Sequence, residues 1–114
     1  MKHDGFYLSR LFDFYSELLT EKQRLLFDLY YNQDLSLGEI AGEAGTSRQS
    51  VHDLLARTEE KLRSLEAQLG CAARFSAVED ALGRIRDAAA RLRDLPGGAA
   101  IADEILQAAD SIPD

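Results

Sequence analysis

Gly45 is the residue that most constrains what this chain can fold into. It separates two stretches that each read as a short amphipathic helix, "SLGEIAGEA" before it and "TSRQSVHDLL" after it. Ser36 and Glu39 have capping-box spacing, so a helix starts there and buries Leu37, Ile40, Ala41 and Ala44. A glycine four residues after Ala41 can take the left-handed conformation that ends a helix and turns the chain. "TSRQ" at 46–49 again has capping-box spacing, with Thr46 or Ser47 as N-cap. Ala41 is small enough for a second helix to cross closely, and Ile40, Val51 and Leu54 stand at the offsets such a crossing buries. The pattern predicts a helix-turn-helix. Thr46 departs from it, because a buried aliphatic is common at that position.

The remainder also reads as helix, with no sustained two-residue alternation of apolar and polar side chains. A first helix runs from near Asp4 or Ser9 to Leu19, with Leu8, Leu11, Phe12, Tyr15, Leu18 and Leu19 on one stripe and Phe14 off it. "TEKQ" at 20–23 is a capping box that opens a second helix, whose apolar side carries Leu25, Leu26, Leu29 and Tyr30. The helix after Gly45 runs on to about Leu69, and Gly70 stops it. Its residues Val51, Leu55, Thr58, Leu62, Leu65 and Leu69 alternate spacings of 4 and 3, a heptad-like seam. A fifth helix at about 73–95 carries Phe75, Val78, Leu82, Ile85, Ala89 and Leu92 in the same rhythm. "PGG" at 96–98 is a turn, and a sixth helix at about 99–110 offers Ala102, Ile105, Leu106 and Ala109. The expected fold is all-α: a helix-turn-helix domain over residues 1–70, a bundle without a wing, and a C-terminal helical hairpin over 71–114. The seam through Val51, Leu55, Leu62, Leu65 and Leu69 packs either within one chain or between two, and a homodimer is expected.

Charge limits the function. The chain of 114 residues has a formal net charge of −7. Residues 1–35 hold 4 basic and 6 acidic side chains, residues 36–65 hold 4 and 5, and residues 66–114 hold 5 and 9. The motif segment is the least acidic part without being basic. DNA affinity rests largely on cations facing phosphate, so that contribution is weak unless Arg and Lys gather on one face. The leading face of the helix after Gly45 would present Ser47, Arg48, Gln49, His52 and Asp53, with Arg57 further on. Arg and Gln read base edges, and Ser47 and Ser50 suit phosphate. Asp53, Glu59 and Glu60 would repel it. The same side chains also fit an ordinary solvated helix start.

Other chemistry is sparse. His3, His52 and Cys71 lack metal-ligand spacing, no Gly-rich phosphate loop is present, and no nucleophile motif appears, so no enzyme activity, metal or cofactor is expected. Cys71 reads as a partly buried structural thiol. Most aromatics of the first two helices read as core, with Tyr7, Phe14 and Tyr31 as candidates for a surface patch that takes a partner. No apolar run reaches the length of a membrane span, the N-terminus lacks a signal-peptide core, and one cysteine forms no internal disulfide. A cytoplasmic location is expected.

The stretches "LFDFYSELLTEKQ" at 11–23, "LYYNQDLSLGEIA" at 29–41 and "SRQSVHDLLARTE" at 47–59 resemble the YlxM-type small helix-turn-helix proteins of bacteria. The likeness is dense over about fifty residues within the first 70, and residues 71–114 do not add to it. It implies a fold similar to region four of bacterial sigma factors. It also implies an accessory or regulatory role in the signal recognition particle pathway, with that particle's GTPase or its RNA as partner. The family's motif positions fall on Ser47, Arg48, Gln49 and Arg57, which become candidate nucleic-acid contacts. Thr46 stands where relatives tend to have an aliphatic, and His52 where many have an aromatic. The alternative is a sequence-specific DNA-binding regulator that places helix 47–69 in the major groove as a dimer.

Overall fold

A computed structural model describes residues 4–113, and the described residues form six α-helices and no strand. The chain divides into two compact units, Met1–Ala72 and Ala73–Asp114. In the first, α1 spans Gly5–Tyr15, α2 spans Glu21–Phe27, α3 spans Leu37–Ala44 and α4 spans Arg48–Leu69. α4 is the spine, because α1, α2 and α3 all pack along it. Val51, Leu55, Thr58 and Leu62 of α4 are fully enclosed, with Leu8, Leu11, Phe27 and Ile40 closing around them. Thr58 satisfies its buried hydroxyl by donating to the Leu54 carbonyl at 2.8 Å. An aromatic stack, Phe12 on Phe27 on Tyr31, ties α1 to the end of α2 with ring centroids 4.6 and 4.4 Å apart.

Local rules place most of these elements. The Thr20–Gln23 and Ser36–Glu39 boxes both close, with each N-cap oxygen accepting from the N3 amide and each N3 side chain accepting from the N-cap amide. The expected box at 46–49 does not form. Ser47 is the N-cap, so the third helical position is Ser50 rather than Gln49, and Ser47 Oγ accepts the Ser50 amide at 3.1 Å.

Two apolar stripes slip in phase. α1 ends at Tyr15 and gives way to a 3-10 turn at Ser16–Leu18, which leaves Leu18 exposed while Leu19 remains buried. The tighter turn advances each side chain farther around the axis than an α-helix does. α2 runs into a π-helical turn at Asp28–Asn32, where the Gln33 amide donates to the Asp28 carbonyl at 3.0 Å. Leu25 is exposed, and Leu26 and Phe27 are the buried pair. Leu29, Tyr30 and Tyr31 are half-buried, since the extra residue in the turn rotates them away from the line that Leu25 would begin. Ala44 is exposed too, because the helix leaves the core just before Gly45.

In the second unit, α5 (Cys71–Arg93, starting just before the unit boundary) and α6 (Ala99–Asp110) run antiparallel, joined by a tight turn. Gly97 has φ 78°, and a Cβ on Gly98 would lie 2.0 Å from the Leu92 carbonyl oxygen, so both positions demand glycine. Exposed ion pairs Arg86–Asp110 and Arg93–Asp103 bridge the two helices. The buried residues are Leu82 and Ala89 on α5 and Ala102 and Ala109 on α6. The expected α5 seam is thus only partly covered, with Phe75, Val78 and Ile85 exposed.

Candidate nucleic-acid face

The α3–turn–α4 segment is where a polymer-reading face would be. Gly45 takes φ 67°, and the following Thr46 amide donates back to the Ala41 carbonyl at 3.0 Å, closing the end of α3. Ala41 and Ile40 are buried where α3 meets α4, beside Val51, and Thr46 is half-buried. This is a tight turn with a glycine hinge and two packed helices, and the second helix begins with an exposed polar turn.

Ser47, Arg48, Gln49, Ser50, His52 and Arg57 are all exposed. They do not form one cluster. Arg48 and His52 are four residues apart and share a side of α4. Arg57 is nine residues from Arg48, about two and a half turns, and so lies on the opposite side with Ser50. The polar groups are also engaged. Ser47 Oγ donates to Ser50 Oγ at 3.0 Å. Gln49 Nε2 donates to Asp53 Oδ1 at 2.9 Å, and His52 Nδ1 lies 3.6 Å from that same oxygen. The Arg48 guanidinium rests over Gly38, where a Cβ would sit 3.0 Å from its Nε. α4 carries four basic and four acidic residues, so it presents no net positive field.

Farther along, His52, Ala56, Glu59, Glu60 and Arg63 line an open groove. Glu59 is almost buried at its edge, and the Tyr31 hydroxyl hydrogen-bonds to it. Burial, then this carboxylate, pushes the Tyr31 phenol well above its ordinary range. Arg63 also pairs with Asp4 at 2.7 Å. Tyr31 is therefore a packing residue, not the surface aromatic expected. Phe6 takes that place: it is 87% exposed, with Tyr7 and Phe14 also exposed on α1. Tyr7 and Phe14 are seven residues apart and so lie on one line of the helix, while Phe6 stands roughly 100° around the axis from Tyr7, in a groove with Ser9 and Tyr31. Phe6 lies nearly opposite Leu8 by helical spacing, and that signal was available in the sequence.

A buried polar junction escapes any periodicity argument. Tyr15 is 2% exposed, and its hydroxyl donates to Glu66 Oε1 at 2.6 Å and accepts the Cys71 amide at 3.0 Å. Glu66 Oε1 also accepts the Ala72 amide at 3.0 Å. Together they cap the first turn of α5, which explains its start at Cys71, two residues ahead of the expected 73. Burial and the Glu66 carboxylate push the Tyr15 phenol up to about 12. Of the expected seam, Val51, Leu55 and Leu62 are enclosed in the first unit's core, Leu65 is half-buried and Leu69 is exposed. Cys71 is half-buried, and His3 lies outside the described residues. Among the described residues no helix is long and apolar enough to cross a membrane, and no three His, Cys, Asp or Glu side chains converge as a metal site.

The capped helix, glycine hinge and packed second helix define a helix-turn-helix protein. Residues 2–96 match the family described as "Putative helix-turn-helix protein, YlxM / p13 like". The chain belongs to this family, UPF0122, and the match extends past Gly70 through α5, farther than the sequence likeness suggested. The UPF0122 protein BH2485 of Halalkalibacterium halodurans is 47% identical over 81 residues, 71% of this chain and 74% of that protein. A UPF0122 protein of Desulforamulus reducens is 48% identical over 69 residues, 60% of this chain and 59% of its own. One from Clostridium kluyveri is 58% identical over 62 residues, 54% and 56% of the two chains.

Proposed function

We propose that this chain is a non-enzymatic docking module of the cytoplasm that regulates the signal recognition particle by binding its GTPase subunit. The particle's pathway comes from the likeness to YlxM-type proteins. The observation that carries the choice of a protein surface over a polyanion is the group of exposed aromatics on α1, Phe6, Tyr7 and Phe14, in an acidic unit. Aromatic side chains supply large contact area at low entropy cost, and the surrounding carboxylates steer toward a basic partner such as an RNA-binding protein surface. The α4 face is poorly prepared for phosphate, because Gln49 is held by Asp53 and the helix has no net charge.

The particle's RNA and a DNA site are the competing ligands, and the exposed first turn of α4 favours them to the extent that Arg48 can swing off Gly38. A DNA-binding dimer built on the α4 seam would have to use Leu65 and Leu69, since the earlier seam residues fill the core. The test is fluorescence anisotropy with the purified GTPase, its RNA and duplex DNA, each offered alone. The expected result is GTPase binding that weakens at least tenfold in Tyr7→Ala/Phe14→Ala and persists in Arg48→Ala/Gln49→Ala; tenfold corresponds to about 1.4 kcal/mol. Binding to nucleic acid alone, lost in the Arg48/Gln49 variant, would replace this reading with the nucleic-acid one. An absence of GTPase binding defeats the proposal.

A further inference from the structure

Three unusual features of the first unit converge on one open groove, lined by Gly5, Phe6, Ser9, Tyr31 and Asp34. The first is the π-helical turn at Asp28–Asn32, a distortion frequent at functional positions, which sets Tyr31 beside the start of α1. The second is Asp34, with φ 58°, the one non-glycine residue of positive φ among the described residues. The Gln33 amide donates to the Asp28 carbonyl and the Leu35 amide to the Leu29 carbonyl, both at 3.0 Å, so Asp34 is held between two tied neighbours. The third is Phe6, a large apolar side chain left 87% exposed. The Tyr31 ring is stacked on Phe27 at 4.4 Å and meets the edge of Tyr30 at 5.1 Å, which fixes its plane. Gly5 keeps the groove open, because a Cβ there would already come within 3.4 Å of Tyr31 Cδ1 and any longer side chain would crowd the ring.

We propose that this groove binds an arginine side chain of a basic protein partner, with the guanidinium laid against the Tyr31 and Phe6 rings and its fork on Asp34. The inference rests on the docking reading above only for the identity of the protein that carries the arginine. Asp34 is the only charged residue lining the groove, so the site is anionic and turns phosphate away. Arg63 is occupied by Asp4 at 2.7 Å, and Arg10 stands one turn beyond Phe6 on α1 without lining the groove. A carboxylate has about four acceptor sites, so Asp34 can take a guanidinium in addition to the contacts it already makes. Ser9 Oγ donates to Asn32 Oδ1 at 3.2 Å, and its lone pairs can accept a further N–H. The Tyr31 hydroxyl hydrogen-bonds to Glu59, and a phenol that donates to a carboxylate has a more electron-rich ring, which strengthens its attraction for a cation. Arginine suits the site better than lysine, because its planar fork stacks on an aromatic face and matches a carboxylate at the same time.

The experiment is an NMR titration of the isotope-labelled full chain with Nα-acetyl-arginine amide at low ionic strength, repeated with the lysine analogue, with far-UV circular dichroism on each variant. Asp34→Asn keeps the backbone, since asparagine also visits the left-handed region, and Phe6→Ala changes an exposed side chain. Saturable shifts are expected at the groove residues, with tighter binding of the arginine amide than of the lysine amide. Either variant is expected to weaken arginine binding roughly threefold, the size of one exposed cation–π or ion-pair contact. Shifts scattered over the acidic surface, equal affinity for the lysine amide, or a titration unchanged by both variants overturns the proposal. The GTPase is then offered to the same chains, and Asp34→Asn is expected to weaken its binding as well. If arginine saturates the groove and the GTPase does not bind, the docking reading fails while the groove stands, and its arginine belongs to a different basic protein. If the GTPase binds wild type and Asp34→Asn equally, the assignment of the groove to that partner is overturned.

Discussion

Replacing Tyr15 by Phe isolates the α4–α5 junction, because it removes one oxygen and leaves the ring in its enclosed place. Two hydrogen bonds go with it: the 2.6 Å donation to Glu66 and the 3.0 Å acceptance from the Cys71 amide. A hydrogen bond to a charged group contributes roughly 1.5–3 kcal/mol, and a stranded buried donor costs about 1–3 kcal/mol. Glu66 is only half-buried, so water can reach it and recover part of the loss. Its bond to the Ala72 amide also stays. The net expectation is about 2 kcal/mol, equivalent to a fall in Tm on the order of 8 °C for a domain of this size. Urea unfolding followed by circular dichroism measures it. The cycle with Glu66→Gln should give a coupling energy above about 0.5 kcal/mol, as expected for directly bonded partners. If Tyr15→Phe lies within about 0.5 kcal/mol of wild type, or the two changes simply add, the junction does not cap the start of α5 and the reasoning is refuted.

Four further outcomes are expected. Leu62→Ala should lower stability by about 2–5 kcal/mol in chemical denaturation, because Leu62 is fully enclosed; a shift in subunit assembly without loss of stability would place it on an interface instead. Gly45→Ala should cost about 1–2 kcal/mol, since its φ of 67° is strained for any Cβ, and a neutral result would mean the turn re-forms elsewhere. Gly38→Ala should stabilise by up to about 1 kcal/mol through helix propensity, with Arg48 moving aside as the only side chain in the way; destabilisation in the same assay would show that the Arg48 position is structurally required. Tyr15 also sets an alkaline limit. Its folded pKa of about 12 exceeds the ordinary 10.0, so the fold favours the neutral phenol. That stabilisation is present below pH 10 and is lost as pH rises through about 12. Absorbance titration of phenolate alongside circular dichroism should find late tyrosine ionisation accompanied by unfolding, and a Tyr15→Phe chain should lose less stability over that window.

The recognition face shows how far residue types carry an argument. Ser47, Arg48 and Gln49 were legible as exposed helix-start residues because capping chemistry is local and polar side chains at a helix start are rarely buried. Their engagement was partly legible, since Gln49 and Asp53 stand at i, i+4, the spacing at which side chains on a helix meet. The resting place of Arg48 over Gly38 was not, because it depends on how α3 and α4 cross.

The sequence by itself determined the helices, two of the three expected capping boxes, the Gly45 turn and the enclosed run Val51, Leu55, Thr58, Leu62, because those follow from periodicity and from short-range hydrogen bonds that only nearby residues can make. Tertiary structure decided the rest. The 3-10 turn after Tyr15 shifts the phase of its stripe and leaves Leu18 exposed, the π turn after Phe27 shifts the phase of Leu29, Tyr30 and Tyr31, and the packing around α2 buries Leu26 and Phe27 while Leu25 stays exposed. The link between Tyr15 and Glu66 joins residues 51 positions apart, and the ion pairs Arg86–Asp110 and Arg93–Asp103 form only once α6 folds back along α5. Helical phase is a property of the local backbone, whereas which phase is buried depends on what lies opposite, and that neighbour comes from distant parts of the chain.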